Sequence, residues 1–222
     1  MEKGWKQTWK NLLFQHFEIE DINVLQKYLP NNCTFDSFNK KYYIGLVSMS
    51  MTNVRHKATG DFVWFKNYNE LNVRTYIIHD NKPGVLFLSL DVDSLISIFG
   101  AKVFYGLPYR LSNYANKKEQ NKIRSFRNFK LQFQIEYKIT SEAKVYAKNT
   151  FASWSTERYF FANKYLGVSF KGEISHKPWQ LSTASVENSN LSVLDNYDIK
   201  SQHPDILFCK QLDVQTNKLS RI

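Results

Sequence analysis

The sequence contains few residues of the kinds that cross-link, interrupt or anchor a chain. Cys33 and Cys209 are the two cysteines, and no motif surrounds either, which excludes a disulfide framework and favours reduced thiols. Eight glycines and five prolines form no linker, so we expect one domain over residues 1–222. Lys6 and Lys10 interrupt the segment where a signal peptide would be apolar, and no later run is long enough to span a bilayer. We therefore predict a cytoplasmic protein with no membrane association.

Signatures of metal and cofactor binding are also missing. The five histidines show no close ligand spacing, and neither cysteine belongs to a C-x-x-C pair, so no metal site is expected. No Walker or dinucleotide glycine pattern occurs, so no cofactor is expected. Asp91-Val92-Asp93 resembles a metal-binding fragment only superficially, and helix capping explains it better.

Positive charge is in excess. The chain has 30 Lys+Arg against 20 Asp+Glu, a formal charge of +10 that permits binding to nucleic acid or another anionic surface. The excess is mostly scattered lysine, and its densest part, from Arg110 to Lys130, is broken by Glu119. We interpret that part as a solvated basic loop and strand edge, and we do not expect nucleic acid as a partner.

The chain can bury a sizeable core, since 43% of its residues are hydrophobic and 16% are aromatic. Asp21 precedes apolar residues at helical spacing that end at Pro30, which predicts a short helix. A second, apolar helix is predicted from Val92 to Tyr105, before a break at Gly106-Leu107-Pro108.

Most of the remaining chain alternates with period two, which predicts a mainly antiparallel β fold with a few short helices (α+β). The alternation from Ile123 to Tyr137 predicts one long strand with one buried face. The stretch from residue 188 to residue 222 is more polar. A turn is predicted there at Ser201 to Pro204, before the last of the predicted strands, and the rest of the stretch shows no clear pattern. Further strands are predicted at Tyr42–Met51, Val85–Leu90, Val145–Thr150, Tyr165–Phe170, Glu173–His176 and Ile206–Phe208.

A row of polar residues on the strand predicted from Tyr68 to Tyr76 is the most informative feature present. Alternation places Glu70, Asn72 and Arg74 on one face, while Leu71, Val73, Thr75 and Ile77 take the other. That polar row must face either bulk water or a wet pocket.

The turn signal Asp80 to Gly84 predicts that residues 70–79 and 84–91 pair as a hairpin. A loop of two or four residues places Asn72 opposite Asp91 and Arg74 opposite Ser89, with Tyr76 opposite Phe87. This register adds Ser89 and Asp91 to the polar row.

Two interpretations of the row follow. Arg74 and Asp91 form a cross-strand ion pair on a solvated sheet face, or the row lines a pocket. Tyr76, Ile78 and Phe87 continue the same face as bulky apolar groups, and a polar patch floored by such groups favours the pocket.

Several segments resemble the signature segments of the YqjF-like bacterial family of unknown function, which belongs to the acetoacetate decarboxylase-like superfamily. The resemblance extends over residues 5–181 and implies a curled, largely antiparallel β barrel around a central cavity. The segments are Trp9–His16, Glu70–Tyr76, Phe87–Asp91, Gly106–Tyr109, Thr156–Tyr159 and His176–Trp179.

The catalytic groups of the decarboxylases are mostly replaced in this chain. The resemblance places their Schiff-base lysine at Tyr109 and the neighbouring lysine, which lowers the nucleophile's pKa, at Arg110. Their N-terminal arginine has no counterpart, because the first arginine here is Arg55. One of their glutamates falls near Gly45 and is lost, while the other matches Glu70. The resemblance therefore implies no Schiff-base chemistry and leaves Glu70 as the best catalytic candidate.

Each candidate residue has a structural alternative. Glu70 is either a general acid or base in an enclosed site or part of an ion pair. Arg74 and Arg110 either hold an anionic ligand or neutralise carboxylates, and Tyr109 either offers its phenol to a ligand or packs in the core.

Two further segments also allow more than one interpretation. His176 either lines the mouth of the barrel or packs beside Trp179, which either lines that mouth too or plugs the barrel's end. Glu157 and Arg158 are expected to open a short helix and to form an ion pair. The predicted ligand-binding set is Glu70, Asn72, Arg74, Ser89, Asp91, Tyr109, Arg110 and His176.

The sequence therefore predicts a protein that binds a small carbonyl or carboxylate compound, either as an enzyme or as a noncatalytic carrier or sensor. A nucleic-acid or anionic-surface binder driven by the net positive charge is the third alternative.

Overall fold

Strands account for most of the chain in a computed structural model that describes residues 4–60, 62–65, 67–95, 107–117, 121–217 and 219–222. The first eight strands are β1 (Trp5–Ile19), β2 (Thr34–Phe35), β3 (Tyr43–His56), β4 (Val63–Phe65), β5 (Tyr68–His79), β6 (Lys82–Val92), β7 (Tyr109–Leu111) and β8 (Asn113–Lys117). The others are β9 (Lys122–Arg127), β10 (Lys130–Ile139), β11 (Phe160–Tyr165), β12 (Val168–His176), β13 (Ser182–Asn190), β14 (Ile199–Gln202), β15 (Ile206–Thr216) and β16 (Ser220–Arg221).

Helices in the described residues are short. The helix α1 (Phe151–Thr156) is capped by the Thr150 side chain. Three 3₁₀ helices lie at Ile22–Tyr28, Lys57–Thr59 and Ser192–Leu194. Asp21 caps the first of these, as predicted, by accepting a hydrogen bond from the Asn23 backbone N–H. None of the helices described is both long and apolar enough to cross a membrane.

The sheet is curled, and its pairings close a ring. β1, β3, β5, β6, β11, β12 and β15 pair in that order, and β15 returns to pair with β1. Within this ring β6 and β11 are parallel, while the other pairs are antiparallel. The remaining main strands continue from β15 through β13, β10 and β9 to β8. The curled, mainly antiparallel fold predicted from the sequence is confirmed.

Apolar residues pack on both sides of the curled sheet. We call the side that carries Glu70, Asn72, Arg74 and Tyr76 the first face, and the side that carries Leu71, Val73 and Ile77 the second face. On the first face, Tyr76 belongs to a core cluster with α1 residues. On the second face, Leu71 belongs to a cluster with Phe133 and Ile135 of β10.

Several predicted elements differ from the structure. The long strand from Ile123 to Tyr137 is wrong: β9 and β10 form a hairpin whose turn residues, Asn128 and Phe129, have positive φ angles. The predicted strand Tyr165–Phe170 is also wrong, because a turn at Leu166-Gly167 separates β11 from β12.

The predicted strand Val145–Thr150 is an irregular connection that leads into α1. Of the predicted helix from Val92 to Tyr105, Val92 is the last residue of β6, and residues 96–105 lie outside the described part of the chain.

Candidate functional site

The polar row lies on β5, between β3 and β6. Glu70 is opposite Met49 on β3 and Val92 on β6, and Asn72 is opposite Val47 and Leu90. Directly opposed residues in antiparallel strands share a face, so the row is embedded among buried apolar side chains on the first face. The row does not face bulk water, because Glu70, Asn72 and Arg74 are all buried.

The hairpin register predicted from the sequence is wrong. Asp80 and Asn81 form the turn with left-handed φ angles of 49° and 59°, and the register shifts again between Val73 and Arg74. Ser89 therefore lies opposite Val73, and Asp91 lies opposite Leu71, which places both on the second face. They do not join the polar row.

Asp91 interacts with other partners on the second face. Arg127 Nη1 lies 3.6 Å from Asp91 Oδ1, and Arg110 is its register partner across the parallel pair of β6 and β7. Burial raises the pKa of Asp91, while Arg127 and Arg110 act to lower it. The observed register therefore excludes the alternative in which Arg74 pairs with Asp91, and Arg110 is exposed on the second face, away from Glu70 on the first.

Glu70 is 2% exposed and receives two hydrogen bonds. Asn72 Nδ2 donates to Oε1 at 3.2 Å, and the Tyr109 hydroxyl donates to Oε2 at 3.4 Å. Burial raises the pKa of Glu70 to about 7, against the opposing effects of these two hydrogen bonds and of Arg74. A carboxyl with that pKa can both donate and accept a proton near neutral pH.

Arg74 brings a buried positive charge to the same face. Its Nη2 donates to the Ser155 carbonyl oxygen of α1 at 3.1 Å, and its guanidinium carbon lies 5.5 Å from the Phe14 ring centroid and 5.6 Å from that of Tyr76. Its Nε has no hydrogen-bond partner. In the part of the chain that the structure describes, no carboxylate lies within salt-bridge distance of Arg74.

His16 on β1 is a polar member of this face that the sequence analysis missed. Its Nε2 lies 2.7 Å from the Tyr76 hydroxyl, and its Nδ1 has no partner. Burial, followed by the charge of Arg74, holds the pKa of His16 well below its usual value, so the imidazole is neutral. A Cβ at Gly45, which lies between His16 and Arg74 in the sheet, would come within 2.7 Å of the Tyr76 oxygen.

Arg158 completes the polar part of the face. Glu157 and Arg158 follow α1 instead of opening a helix, so that prediction is wrong. Arg158 Nη1 donates to Asp36 Oδ2 at 2.6 Å, and the guanidinium carbon lies 4.9 Å from the Tyr76 ring centroid. Its Nη2 is buried without a partner. No spacing in the sequence links Asp36 to Arg158, which explains why this pair was not predicted.

His176 lies at a distance from the row, beyond Trp179. Its ring stacks on Tyr159 at 4.7 Å between centroids and meets Trp179 edge-on at 5.0 Å. Trp179 in turn contacts Phe14, the ring that lies beside Arg74. Burial lowers the pKa of His176, and its Nε2 has no hydrogen-bond partner.

We call the first-face group Glu70, Asn72, Arg74, Tyr76, Tyr109, His16 and Arg158 the polar cluster. Buried polar atoms without partners are uncommon in proteins, since each costs about 1–3 kcal/mol. Four such atoms occur in the polar cluster: Asn72 Oδ1, Arg74 Nε, His16 Nδ1 and Arg158 Nη2. They lie beside a guanidinium with no carboxylate at salt-bridge distance among the described residues and a carboxyl of pKa about 7, which are groups of the kinds that bind anions and transfer protons.

The described residues contain no group of three or more His, Cys, Asp or Glu side chains that could hold a metal ion.

In sequence the chain is similar to uncharacterized proteins, and in fold it is similar to several solved structures. The family model DUF2071, described as an uncharacterized conserved protein, matches residues 6–213. The uncharacterized protein YqjF of Bacillus subtilis (strain 168) is 29% identical over 215 residues, which are 94% of this chain and 88% of that protein.

Two solved structures share the fold over the whole chain. Acetoacetate decarboxylase from Legionella pneumophila matches with a TM-score of 0.70 and 12% identity, covering 100% of this chain and 88% of that one. The enduracididine biosynthesis enzyme MppR, complexed with pyruvate, matches with a TM-score of 0.72 and 7% identity, covering 100% and 91%. At these identities the likeness concerns the fold alone.

Proposed function

The chain belongs to DUF2071, a family of uncharacterized conserved proteins, and from that membership and the site geometry we propose that it binds a small carbonyl or carboxylate compound at the polar cluster. The carboxylate or carbonyl oxygen lies against Arg74, and Glu70 transfers a proton to or from the bound compound.

The observation that carries this proposal is the buried guanidinium of Arg74, which has no carboxylate at salt-bridge distance among the described residues. A buried charge is costly unless it is paired, and among the described residues Arg74 has a backbone carbonyl and two aromatic rings as partners but no carboxylate. A ligand carboxylate would supply the missing charge and accept the hydrogen bond that Nε leaves unmade.

Glu70 supports proton transfer in place of imine chemistry. Its pKa of about 7 suits a general acid or base at neutral pH. No lysine side chain is buried in the residues that the structure describes, and Tyr109, not an amine, contacts Glu70. We therefore propose that any reaction proceeds without a Schiff base.

The fold neighbours support the size and chemical class of the ligand. MppR is described in complex with pyruvate, and also with the condensation product of pyruvate and imidazole 4-carboxaldehyde. Acetoacetate decarboxylase, by its name, acts on another small oxo acid. Pyruvate and acetoacetate are therefore the probes with which to begin.

Calorimetric titration with pyruvate and with its neutral methyl ester tests the binding step. We expect pyruvate to bind more tightly than the ester, and Arg74→Met to weaken pyruvate binding by about tenfold or more, the loss of a charge-assisted hydrogen bond. Arg110→Met is the matched control, because Arg110 is exposed and lies on the second face beside Asp91. Equal losses in the two variants would contradict the proposed site.

Hydrogen–deuterium exchange at the carbon next to the ligand's carbonyl, followed by proton NMR, tests the role of Glu70. We expect the protein to accelerate this exchange and Glu70→Gln to abolish the acceleration while pyruvate still binds. Binding without any acceleration would identify a noncatalytic carrier or sensor instead.

Borohydride reduction in the presence of acetoacetate tests whether an imine forms. We expect no adduct to be trapped on the protein, and a trapped lysine would refute the proposal that no imine forms.

A further inference from the structure

A pocket lies on the opposite side of the sheet from the polar cluster. Its volume is about 210 Å³, and Ser48 and Asn69 are among the residues that line it. Ser48 is opposite Leu71 in the pairing of β3 with β5, so it shares the second face with Leu71. Tyr137 and Phe208, which also line the pocket, belong to the second-face core cluster. The polar cluster and this pocket are therefore separated by the sheet itself.

The pocket carries polar groups that the protein leaves without partners. Ser48 Oγ is buried with no hydrogen-bond partner. The side chains of Asn11, which is half-buried, and Asn121, which is exposed, and the hydroxyl of Tyr137 make no hydrogen bond to other described residues, so they are free to bind a ligand. Burial raises the pKa of Tyr137, which keeps its phenol protonated and able to donate a hydrogen bond.

The positive charge at the pocket is already paired. Among the described residues that line the pocket, Lys122 is the one cationic side chain, and it forms an ion pair with Glu136. Asp93, next to the pocket, accepts hydrogen bonds from the backbone N–H and the side-chain amide of Asn69 at 2.8 and 2.7 Å. An anionic ligand would meet the carboxylate of Asp93 and no unpaired cation among the described lining residues, so the chemistry of the pocket disfavours an anion and suits a neutral molecule.

The side chains that line the pocket and its volume narrow the ligand class further. Tyr137 and Phe208 present two rings 5.8 Å apart, beside amides and hydroxyls that can both donate and accept hydrogen bonds. An apolar surface with a few polar groups is the usual make-up of a small-molecule site. The volume equals about seven water molecules at about 30 Å³ each, enough for a single sugar ring but not for a nucleotide.

We infer that this pocket is a second ligand site, which takes a neutral polyhydroxy compound of the size of a monosaccharide or cyclic polyol. The compound's hydroxyls pair with Asn11, Asn121 and the Tyr137 phenol, and its carbon-bound hydrogens lie on the rings of Tyr137 and Phe208. This site does not depend on Arg74 or Glu70.

Two variants remove pocket groups with little change to the fold. Asn11 has a φ angle of 52°, so Asn11→Gly deletes the amide while allowing the same left-handed backbone. Tyr137→Phe deletes the phenol and keeps the ring. Asn53→Gly is the matched control for the first, because Asn53 is exposed, has a φ angle of 54° and lies outside the pocket. Tyr165→Phe, at a half-exposed tyrosine outside the pocket, is the control for the second.

Saturation-transfer NMR of the full chain with D-glucose, D-ribose and myo-inositol, each at millimolar concentration, tests the inference. We expect at least one of the three to bind, and each pocket variant to weaken that binding about fivefold, the loss of one neutral hydrogen bond. The two control variants should bind like the wild-type protein, and glucose 6-phosphate should bind less well than glucose.

The inference would be overturned by no binding of any of the three neutral probes, by equal weakening in the control and pocket variants, or by tighter binding of the phosphorylated sugar. Pyruvate titrations of the same variants separate this inference from the proposed function, because Asn11→Gly and Tyr137→Phe should leave pyruvate binding unchanged. Loss of sugar binding in Arg74→Met would place the sugar at the polar cluster and would also overturn the second site.

Discussion

At the scale of single residues, Glu70 links the stability of the protein to pH. The folded state raises its pKa from 4.5 to about 7, so the folded protein holds a proton that the unfolded chain releases between those pH values. Stability should therefore fall as pH rises from about 4.5 to about 7 and then become level. The full effect is about 3 kcal/mol, because each tenfold change in proton affinity corresponds to about 1.4 kcal/mol.

Glu70→Gln should remove this dependence, because the amide stays neutral at every pH. We expect the variant to match the wild type near pH 4.5 and to exceed its unfolding free energy by about 3 kcal/mol at pH 8. Urea unfolding at both pH values measures the difference. Asp91, whose pKa is also raised, remains in both proteins, so its contribution cancels in the comparison. An unchanged pH slope in the variant would show that Glu70 is ionised in the folded protein at neutral pH.

Gly45 leaves room for the hydrogen bond between His16 and Tyr76. A Cβ there would lie 2.7 Å from the Tyr76 hydroxyl oxygen, closer than atoms pack. We expect Gly45→Ala to lower the unfolding free energy by about 2 kcal/mol through overpacking. In a Tyr76→Phe background the clashing oxygen is absent, so the same substitution should cost much less. A double-mutant cycle of urea unfolding measures this coupling, and additive effects would contradict the contact.

The sequence was sufficient to predict which residues of β5 form the polar row, but not all of their neighbours. Alternation alone places Glu70, Asn72 and Arg74 on one face. His16 gives no comparable signal, because a lone histidine on a strand looks the same whether it packs in a core or lines a site. Arg158 reaches the row through Asp36, a contact between residues far apart in the chain that no local pattern contains.

At the scale of elements, the hairpin of β5 and β6 shows why the face of each β5 residue could be predicted from alternation while its partner on β6 could not. Its turn begins one residue earlier than expected, and the register shifts once more between Val73 and Arg74. A shift of one residue moves a side chain to the other face, which is how Ser89 and Asp91 came to be misplaced.

A double-mutant cycle tests the observed register. Arg127 lies 3.6 Å from the buried carboxylate of Asp91, whereas Arg74 lies on the other face. We expect Arg127→Met and Asp91→Asn to couple by about 1 kcal/mol or more in urea unfolding, since a partly buried pair exceeds an exposed one. Arg74→Met and Asp91→Asn should be additive. Coupling of Asp91 to Arg74 instead would restore the register predicted from the sequence.

In sequence, the hairpin of β9 and β10 has the same alternation as one long strand, and a register shift is again the reason. A two-residue turn alone would put odd-numbered residues of one strand opposite even-numbered residues of the other. The register shift between Leu131 and Phe133 restores the parity, so Phe133 faces Ser125 and Ile135 faces Ile123. The alternation therefore continues across the turn as if no turn were present. Phe129, at the tip, is 97% exposed and gives no sign of its turn position, because turns of this type usually carry glycine or asparagine.

At the scale of the whole molecule, the curled sheet could be predicted as a class but not as a set of pairings. Alternating segments indicate antiparallel strands, and the family resemblance implies that the sheet curls. Which strands meet depends on contacts between distant parts of the chain, such as Leu12 with Cys209. The pairing of β1 with β15 closes the ring, and nothing local to either strand specifies it.

Ring closure leads to a prediction about hydrogen exchange. β1 is paired along both edges, with β3 and with β15, so its backbone amides donate alternately into two ladders and neither ladder lies at an open edge of the sheet. We expect the backbone amides of Leu13 and Phe14 to exchange with a free energy equal to that of global unfolding. β8 pairs with β9 alone in the residues described, so its amides should exchange several kcal/mol more easily through local opening. Exchange followed by NMR, compared with urea unfolding of the same sample, measures both values.

Equal exchange free energies for β1 and β8 would mean that the sheet opens as one unit. An exchange free energy of Leu13 well below that of global unfolding would mean that the ring opens at β1.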